Sequence, residues 1–347
     1  MEIYKGIQYW GKKGRKYLRI FFQILPAGRL KHIIEVCMGS GTFSANVSGG
    51  FEAARKTAIE IDPGVCALVR CIQKKPFEIL DRIQNTEYSE DVCRRSIQLL
   101  NEVKMGRKVD ELDLAQAEYA ALYMSRNSQR MVARKQDSYK KQPDEKKAKK
   151  SKIDLERQKH NFYRDVSKII WECNKAWQDL EIIEDDFMNY PEYWCGGDET
   201  LVFADVPYQY ADRGISGRKT NDTGYIYDWN DDKHYEFLRF VTQVAAGCQK
   251  KSRIIICASY ERDESGKLFK RGLRNTRIEL RDDIYNQILL AEGFRMVVIM
   301  DKFSSECGRK SLKKKIKAEV VYINYRDILG DWSKFEYYDY EDIFGND

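Results

Sequence analysis

Asp205-Val206-Pro207-Tyr208 follows the apolar run Thr200-Leu201-Val202-Phe203-Ala204 directly. These residue types suit one task, the gripping of an amine. The Asp205 carboxylate and the Val206 carbonyl are both acceptors, and one exocyclic NH₂ can donate to both. Pro207 biases Val206 toward extended geometry, and the Tyr208 ring offers a face on which a planar base stacks. Such a site serves an enzyme that acts on a nucleobase amine taken out of the base stack. The same four residues also make a plain strand end, in which the acid caps, proline stops the strand and tyrosine covers the edge.

A second constellation lies nearer the start. Glu35-Val36-Cys37-Met38-Gly39-Ser40-Gly41 puts two glycines after a short apolar stretch. Glycine permits positive φ and lets backbone N–H groups approach a ligand. Glu60-Ile61-Asp62 stands about 20 residues on, the spacing at which a carboxylate takes ribose hydroxyls in nucleotide-binding α/β folds. No Gly-rich run ending in Lys-Ser or Lys-Thr is present, so the pair suits a cofactor with a ribose but no phosphates.

These groups need strands to carry them. His32–Val36, Thr57–Ile61, Leu180–Ile183, Leu201–Ala204, Arg253–Cys257, Met296–Met300 and Val320–Asn324 read as strands. Gly14–Leu25, a turn opening at Thr42, Val65–Gln73, Asp91–Val103, Leu112–Met124, Phe162–Trp177 and Asp231–Ala246 read as helices by their period. Pro63 sits at a favoured first helical position. The alternation predicts an α/β sheet with crossovers. Residues 81–161 are almost free of strand signals and are expected to form a helical insertion, leaving 1–80 and 162–347 as the catalytic unit.

Charge is unevenly spread. Residues 126–168 hold 15 Lys and Arg against 6 Asp and Glu, a net +9 in a chain of net +6. A concentration of this kind faces a polyanion or forms a solvated, partly helical linker. No apolar run approaches the ~20 residues of a membrane span, and the first residues lack the plan of a signal peptide. The nine cysteines form no Cys-x-x-Cys pair and the three histidines stand alone. A reducing, cytoplasmic setting is therefore expected, with neither a metal site nor a disulfide framework.

In order and spacing the motifs resemble the Dam-type (D12 class) adenine-N6 DNA methyltransferases. The resemblance runs from Tyr9-Trp10-Gly11-Lys12-Lys13 through Glu35–Gly41, Glu60-Ile61-Asp62-Pro63 and Asp185-Asp186-Phe187 to Asp205–Tyr208, and closes on Glu319–Tyr325. It implies a Rossmann-like S-adenosylmethionine-dependent methyltransferase fold with a helical target-recognition insertion. It further implies that Glu60 holds the cofactor's ribose, with Asp62 nearby. Gly39 and Gly41 shape the turn under its methionine moiety, beside Glu35 and Cys37. Trp10, Gly11, Lys12 and Lys13 lie near its carboxylate, and Asp186 and Phe187 read its adenine. Asp205 and the Val206 carbonyl, fixed by Pro207, would hold the target N6 amine, and Tyr208 would stack on the flipped base.

In the place of the family's DNA-contacting loop stand Arg126, Asn127, Gln129 and Arg130, residue types that read base edges or phosphates. Arg134, Lys140 and Lys141 belong to the basic run behind them. The implied partner is double-stranded DNA; a partner endonuclease is left open. The chain departs from the family at Val206, where the family has proline, and at Val36-Cys37-Met38, where it has Pro-Phe-Ala. Valine still supplies the backbone carbonyl. Two other readings stand beside the active enzyme: a catalytically weak or inactive DNA-binding subunit of the same fold, and an RNA adenine methyltransferase.

Overall fold

A computed structural model describes residues 4, 6, 7, 15–47, 54–125, 159–208, 229–248, 250–272, 276–303 and 316–345. Five strands form a parallel array in the order β3-β2-β1-β4-β5: Leu180–Glu184, Arg55–Glu60, His32–Val36, Thr200–Ala204 and Arg253–Arg262. On the β5 side, β9 (Ile316–Ile323) is antiparallel to both β5 and β8 (Arg295–Phe303), and β10 (Glu336–Tyr338) closes that edge. A small hairpin, β6 (Leu268–Arg271) and β7 (Arg277–Ile278), extends from the end of β5. The result is an α/β fold with a mixed, mostly parallel central sheet.

The central strands are buried at nearly every position because both faces are covered. Side chains alternate between the faces with period two. Ile34, Val36, Val202, Ala204, Ile254 and Ile256 enter one core, shared with Phe237, Leu238 and Val241 of α8 (Asp231–Gly247). Ile33, Leu201, Phe203, Ile255 and Cys257 enter the opposite core, with Tyr17, Leu18 and Phe21 of α1 (Arg15–Phe21) and Phe43 and Val47 of α2 (Thr42–Val47). The stacked pair Phe43 and Phe203, ring centroids 3.9 Å apart, joins α2 to β4.

A third core is helical. It joins α3 (Pro63–Lys74) to α4 (Pro76–Gln84), α5 (Glu90–Lys104), α6 (Glu111–Met124) and α7 (Val166–Ala176) through Leu68, Ile79, Leu100, Tyr119 and Ile170. The described helices of the 81–161 stretch thus pack on α3, beside Ala58 of β2 and Leu180 of β3. The first four of these helices, α3 to α6, begin on a local signal. Pro63 and Pro76 stand in the first turns of α3 and α4, and Asp62, Ser89 and Asp110 accept backbone N–H groups as N-caps.

One expectation is corrected. The scattered cysteines argued against a disulfide framework, yet Cys195 and Cys248 are joined, with Cα atoms 5.3 Å apart and a sequence separation of 53. The pairing arises because the C-terminus of α8 returns onto the short helical turn Pro191–Cys195, a long-range contact that spacing does not reveal. No described helix is long and apolar enough to cross a membrane. Among the described residues no group of His, Cys, Asp and Glu is arranged to hold a metal ion.

Candidate functional site

Strand order reverses between β1 and β4, since the chain builds outward to β2 and β3 on one side and to β5 on the other. In such sheets ligands bind in the crevice beyond the carboxyl ends of the strands at that reversal. The turn after β1 and the segment Asp205–Tyr208 after β4 both lie there. Parallel register pairs Glu35 with Phe203 and Val36 with Ala204, so Cys37 and Asp205 leave the sheet side by side.

The turn is tightly wound. Cys37, Gly39 and Gly41 take φ values of 57°, 49° and 58°, a left-handed conformation that costs a non-glycine residue about 1–2 kcal/mol. Cys37 carries that strain at the centre of the site, where such strain concentrates. Gly41 has no room for a side chain: a Cβ there would strike the Met38 methyl and stand 2.6 Å from Trp177 Cζ2. The buried Trp177 also donates from Nε1 to the Gly41 carbonyl at 3.3 Å. We expect Gly41→Ala to lose at least about 2 kcal/mol of stability through φ strain and overpacking. A denaturant midpoint unchanged from the wild type would contradict this packing.

The acid at the end of β2 meets the turn. Glu60 accepts from the Gly39 N–H at 2.9 Å and from the Asp62 N–H at 3.0 Å. It is buried, so these charge-assisted bonds fix the turn against β2. Asp62 is the N-cap of α3 and accepts from Gly64 N–H at 2.9 Å. Glu35 is also buried and accepts from both the N–H and the hydroxyl of Ser44 in α2. Burial pushes its pKa up to about 8; the Ser44 bonds oppose the rise, and Asp205 and Glu60 add to it.

Four acids from different elements converge on Cys37. Burial first, then the charges of Glu60, Asp186, Asp205 and Glu35, push its thiol well above the usual range. Asp186 caps the short turn Phe187–Asn189, accepting from Met188 N–H at 3.0 Å, and pairs with Lys233 Nζ at 3.3 Å. Phe187 is buried, with ring centroids 6.1 Å from Trp194, 6.2 Å from Trp229 and 5.8 Å from Phe237. Asp185 is held below the usual carboxylate range by the Asp186 N–H, Asn189 and Tyr190.

In the segment after β4, Asp205 is half-buried and accepts from the Tyr208 hydroxyl at 3.1 Å. Burial and the charges of Asp205 and Glu319 raise the Tyr208 phenol well above its ordinary value, so it stays a donor. Val206 is 1% exposed and its side chain belongs to the α8-side core. An apolar side chain there fills core volume, which accounts for valine on packing grounds.

The structure brings together Glu35, Cys37, Gly39, Gly41, Glu60, Asp186 and Asp205, with Asp62, Val206, Pro207, Tyr208 and Phe187 beside them. Trp10, Gly11, Lys12 and Lys13 lie outside the described residues. Just before them, Ile7 N–H donates to the Ser40 carbonyl at 3.2 Å, and Tyr4 exchanges two bonds with Asn46 of α2, so the chain start lies on the turn. Arg126, Asn127, Gln129, Arg130, Arg134, Lys140 and Lys141 also lie outside the described residues.

Three residues escaped the sequence reading. Ser44 is the partner of Glu35. Lys233, four residues past Trp229, is the cation beside Asp186. Tyr285 is buried in the α8-side core and hydrogen-bonds His234 of α8 at 2.8 Å. The helical frame of α8 held a signal for Lys233. Nothing local marks Tyr285, which reaches that core only through the packing of β6–β7 and the turn after it.

Compared with known proteins, the chain matches no family model and no curated protein sequence.

Proposed function

We propose that the chain transfers a methyl group from S-adenosylmethionine to the N6 amine of an adenine flipped out of DNA. The observation that carries this reading is the convergence, at the point where strand order reverses, of the left-handed turn Cys37–Gly41, the buried Glu60 bound to it, and Asp205-Val206-Pro207-Tyr208. The donor and acceptor set fits such a cofactor. Glu60 is a buried acceptor against the turn, suited to a vicinal diol, and Asp186 is an acceptor at the rim, suited to a base amine, with Phe187 in the aromatic floor behind it. When bound, the cofactor supplies an electrophilic methyl group.

The chain's own residues prepare the amine. The adenine N6 lone pair is delocalised into the ring, which makes the amine a poor nucleophile. Asp205 and the Val206 carbonyl accept its two hydrogens and favour localisation of the lone pair in the transition state. Pro207 limits Val206 to extended geometry, so the two acceptors hold a fixed separation. The Tyr208 ring is the stacking surface, and its hydroxyl keeps Asp205 oriented until the amine arrives.

The test is incorporation of radiolabelled methyl into unmethylated duplex DNA, followed by digestion to nucleosides. N6-methyl-2′-deoxyadenosine in the digest is the expected product. DNA binding without incorporation would replace this reading with that of a DNA-binding subunit, and label confined to RNA would move the substrate. The basic run carries a separate prediction. Deletion of 140–152 should weaken DNA binding and lower the slope of log K against log salt by about 0.9 for each phosphate that the run neutralises. An unchanged slope would return that run to a solvated linker.

A further inference from the structure

We propose that the Cys195–Cys248 disulfide is a redox-sensitive tie that holds the C-terminal end of α8, and that its reduction loosens this helix while leaving the sheet intact. Cys195 ends the turn Pro191–Cys195 and Cys248 directly follows α8, so the bond closes a loop that contains β4, Asp205–Tyr208 and all of α8. Among the described cysteines, Cys195 alone is exposed; Cys37 and Cys248 are half-buried and the others are buried. Its sulfur is therefore the one that a thiolate in solution can attack.

Neighbouring contacts make the bond separable from the fold. On the Cys195 side, Ser252 N–H donates to the Trp194 carbonyl at 2.9 Å, the Ser252 hydroxyl donates to the Tyr193 carbonyl at 2.9 Å, and Gly196 N–H donates to that hydroxyl at 2.8 Å. Trp194 is fully buried, 5.5 Å from the Phe240 ring and 6.3 Å from the Phe237 ring of α8. Residues 193–196 thus stay anchored when the bond opens, and the middle of α8 keeps its aromatic contacts. The last turn of α8 has less of that support: Val244 packs against the core, but at Gly247, which ends the helix, an added Cβ would meet nothing within 4 Å. The tie acts on that turn.

The chemistry balances with a dithiol as reductant. One thiolate of the dithiol attacks Cys195 Sγ, the S–S bond breaks, and Cys248 leaves as a thiolate that takes a proton. The second thiol of the reductant then attacks its own mixed-disulfide sulfur and releases Cys195. Two electrons and two protons reach the protein, and the reductant becomes a cyclic disulfide. In a reducing compartment a bond of this exposure is a regulatory rather than a permanent link.

This inference stands apart from the proposed methyl transfer, and its test needs no activity. The full chain is air-oxidised or treated with dithiothreitol, alkylated for mass mapping, and followed by amide hydrogen exchange. Oxidised protein should protect Cys195 and Cys248 from alkylation. Reduction should label both and lower protection in 240–247 about ten-fold, with β4 and β5 unchanged. Cys195→Ser and Cys248→Ala should each show the low protection under either condition. Equal protection in the two redox states, or a redox response that survives in both variants, would overturn the proposal. So would alkylation of both cysteines after oxidation.

Discussion

Asp205→Ala is expected to lower methyl incorporation by at least about 10²–10³-fold, the loss that follows removal of one preorganised electrostatic partner of a transition state. The fold should survive the change. Asp205 is half-buried, and the bond from Tyr208 that it loses is worth about 1 kcal/mol. Its charge also raises the pKa of Glu35 and of Cys37, so its removal should bring both back toward their ordinary values. Cofactor affinity, measured by calorimetry, should stay within a few-fold of wild type, because Glu60 and the glycine turn are untouched. Asp205→Asn keeps an acceptor and loses the charge, so its rate should fall between the two. Incorporation by Asp205→Ala within three-fold of wild type would remove Asp205 from the chemistry while leaving a cofactor site at Glu60 standing. Loss of cofactor binding together with activity would instead make Asp205 part of the cofactor pocket.

The parts legible in the sequence were those with a short physical period. β1, β2 and β4 appear within a residue or two of where their apolar centres predict, although β1 and β2 also bury Glu35, Lys56, Thr57 and Glu60. The Gly39–Gly41 turn was legible because only glycine accepts φ near +50° without strain. That Cys37 shares this conformation was not legible, since tertiary contacts impose it. β6, β7 and β10 are four, two and three residues long, too short to show a period, and each exists through its partner strand. β10, paired with β8, is also held by side chains: Arg295 pairs with Asp339 and lies 4.0 Å from the Tyr337 ring centroid. In the site, the acids were readable as strand ends. What holds them was not, because Ser44 on Glu35 and Lys233 on Asp186 come from elements whose approach only the folded chain defines.

The second large effect concerns Glu35, which burial and two like charges keep protonated near neutral pH. Its pKa of about 8 lies well above the ordinary glutamate value, so the folded chain binds this proton more tightly than the unfolded chain does. Stability from this group is therefore full below pH about 4.5 and is lost as pH rises toward and through 8. At about 1.4 kcal/mol per pH unit of difference, the loss across that window reaches up to about 4–5 kcal/mol. Glu35→Gln cannot ionise, and its amide oxygen can still accept from Ser44. The variant and the wild type should match near pH 4.5, and the variant should become the more stable by a growing margin up to pH 8.5. Denaturation at a series of pH values reads this directly; parallel stability curves would mean that Glu35 is already ionised in the fold. The same proton bears on the proposed chemistry. The charge of Asp205 is among the causes that raise Glu35, so a neutral Glu35 spares the site a second negative charge beside Asp205, the group that must accept from the amine. Above pH 8 Glu35 ionises, and the wild type then faces that repulsion while Glu35→Gln does not. The rate advantage of the variant, if Asp205 works as an ionised acceptor, should therefore appear only on the alkaline limb.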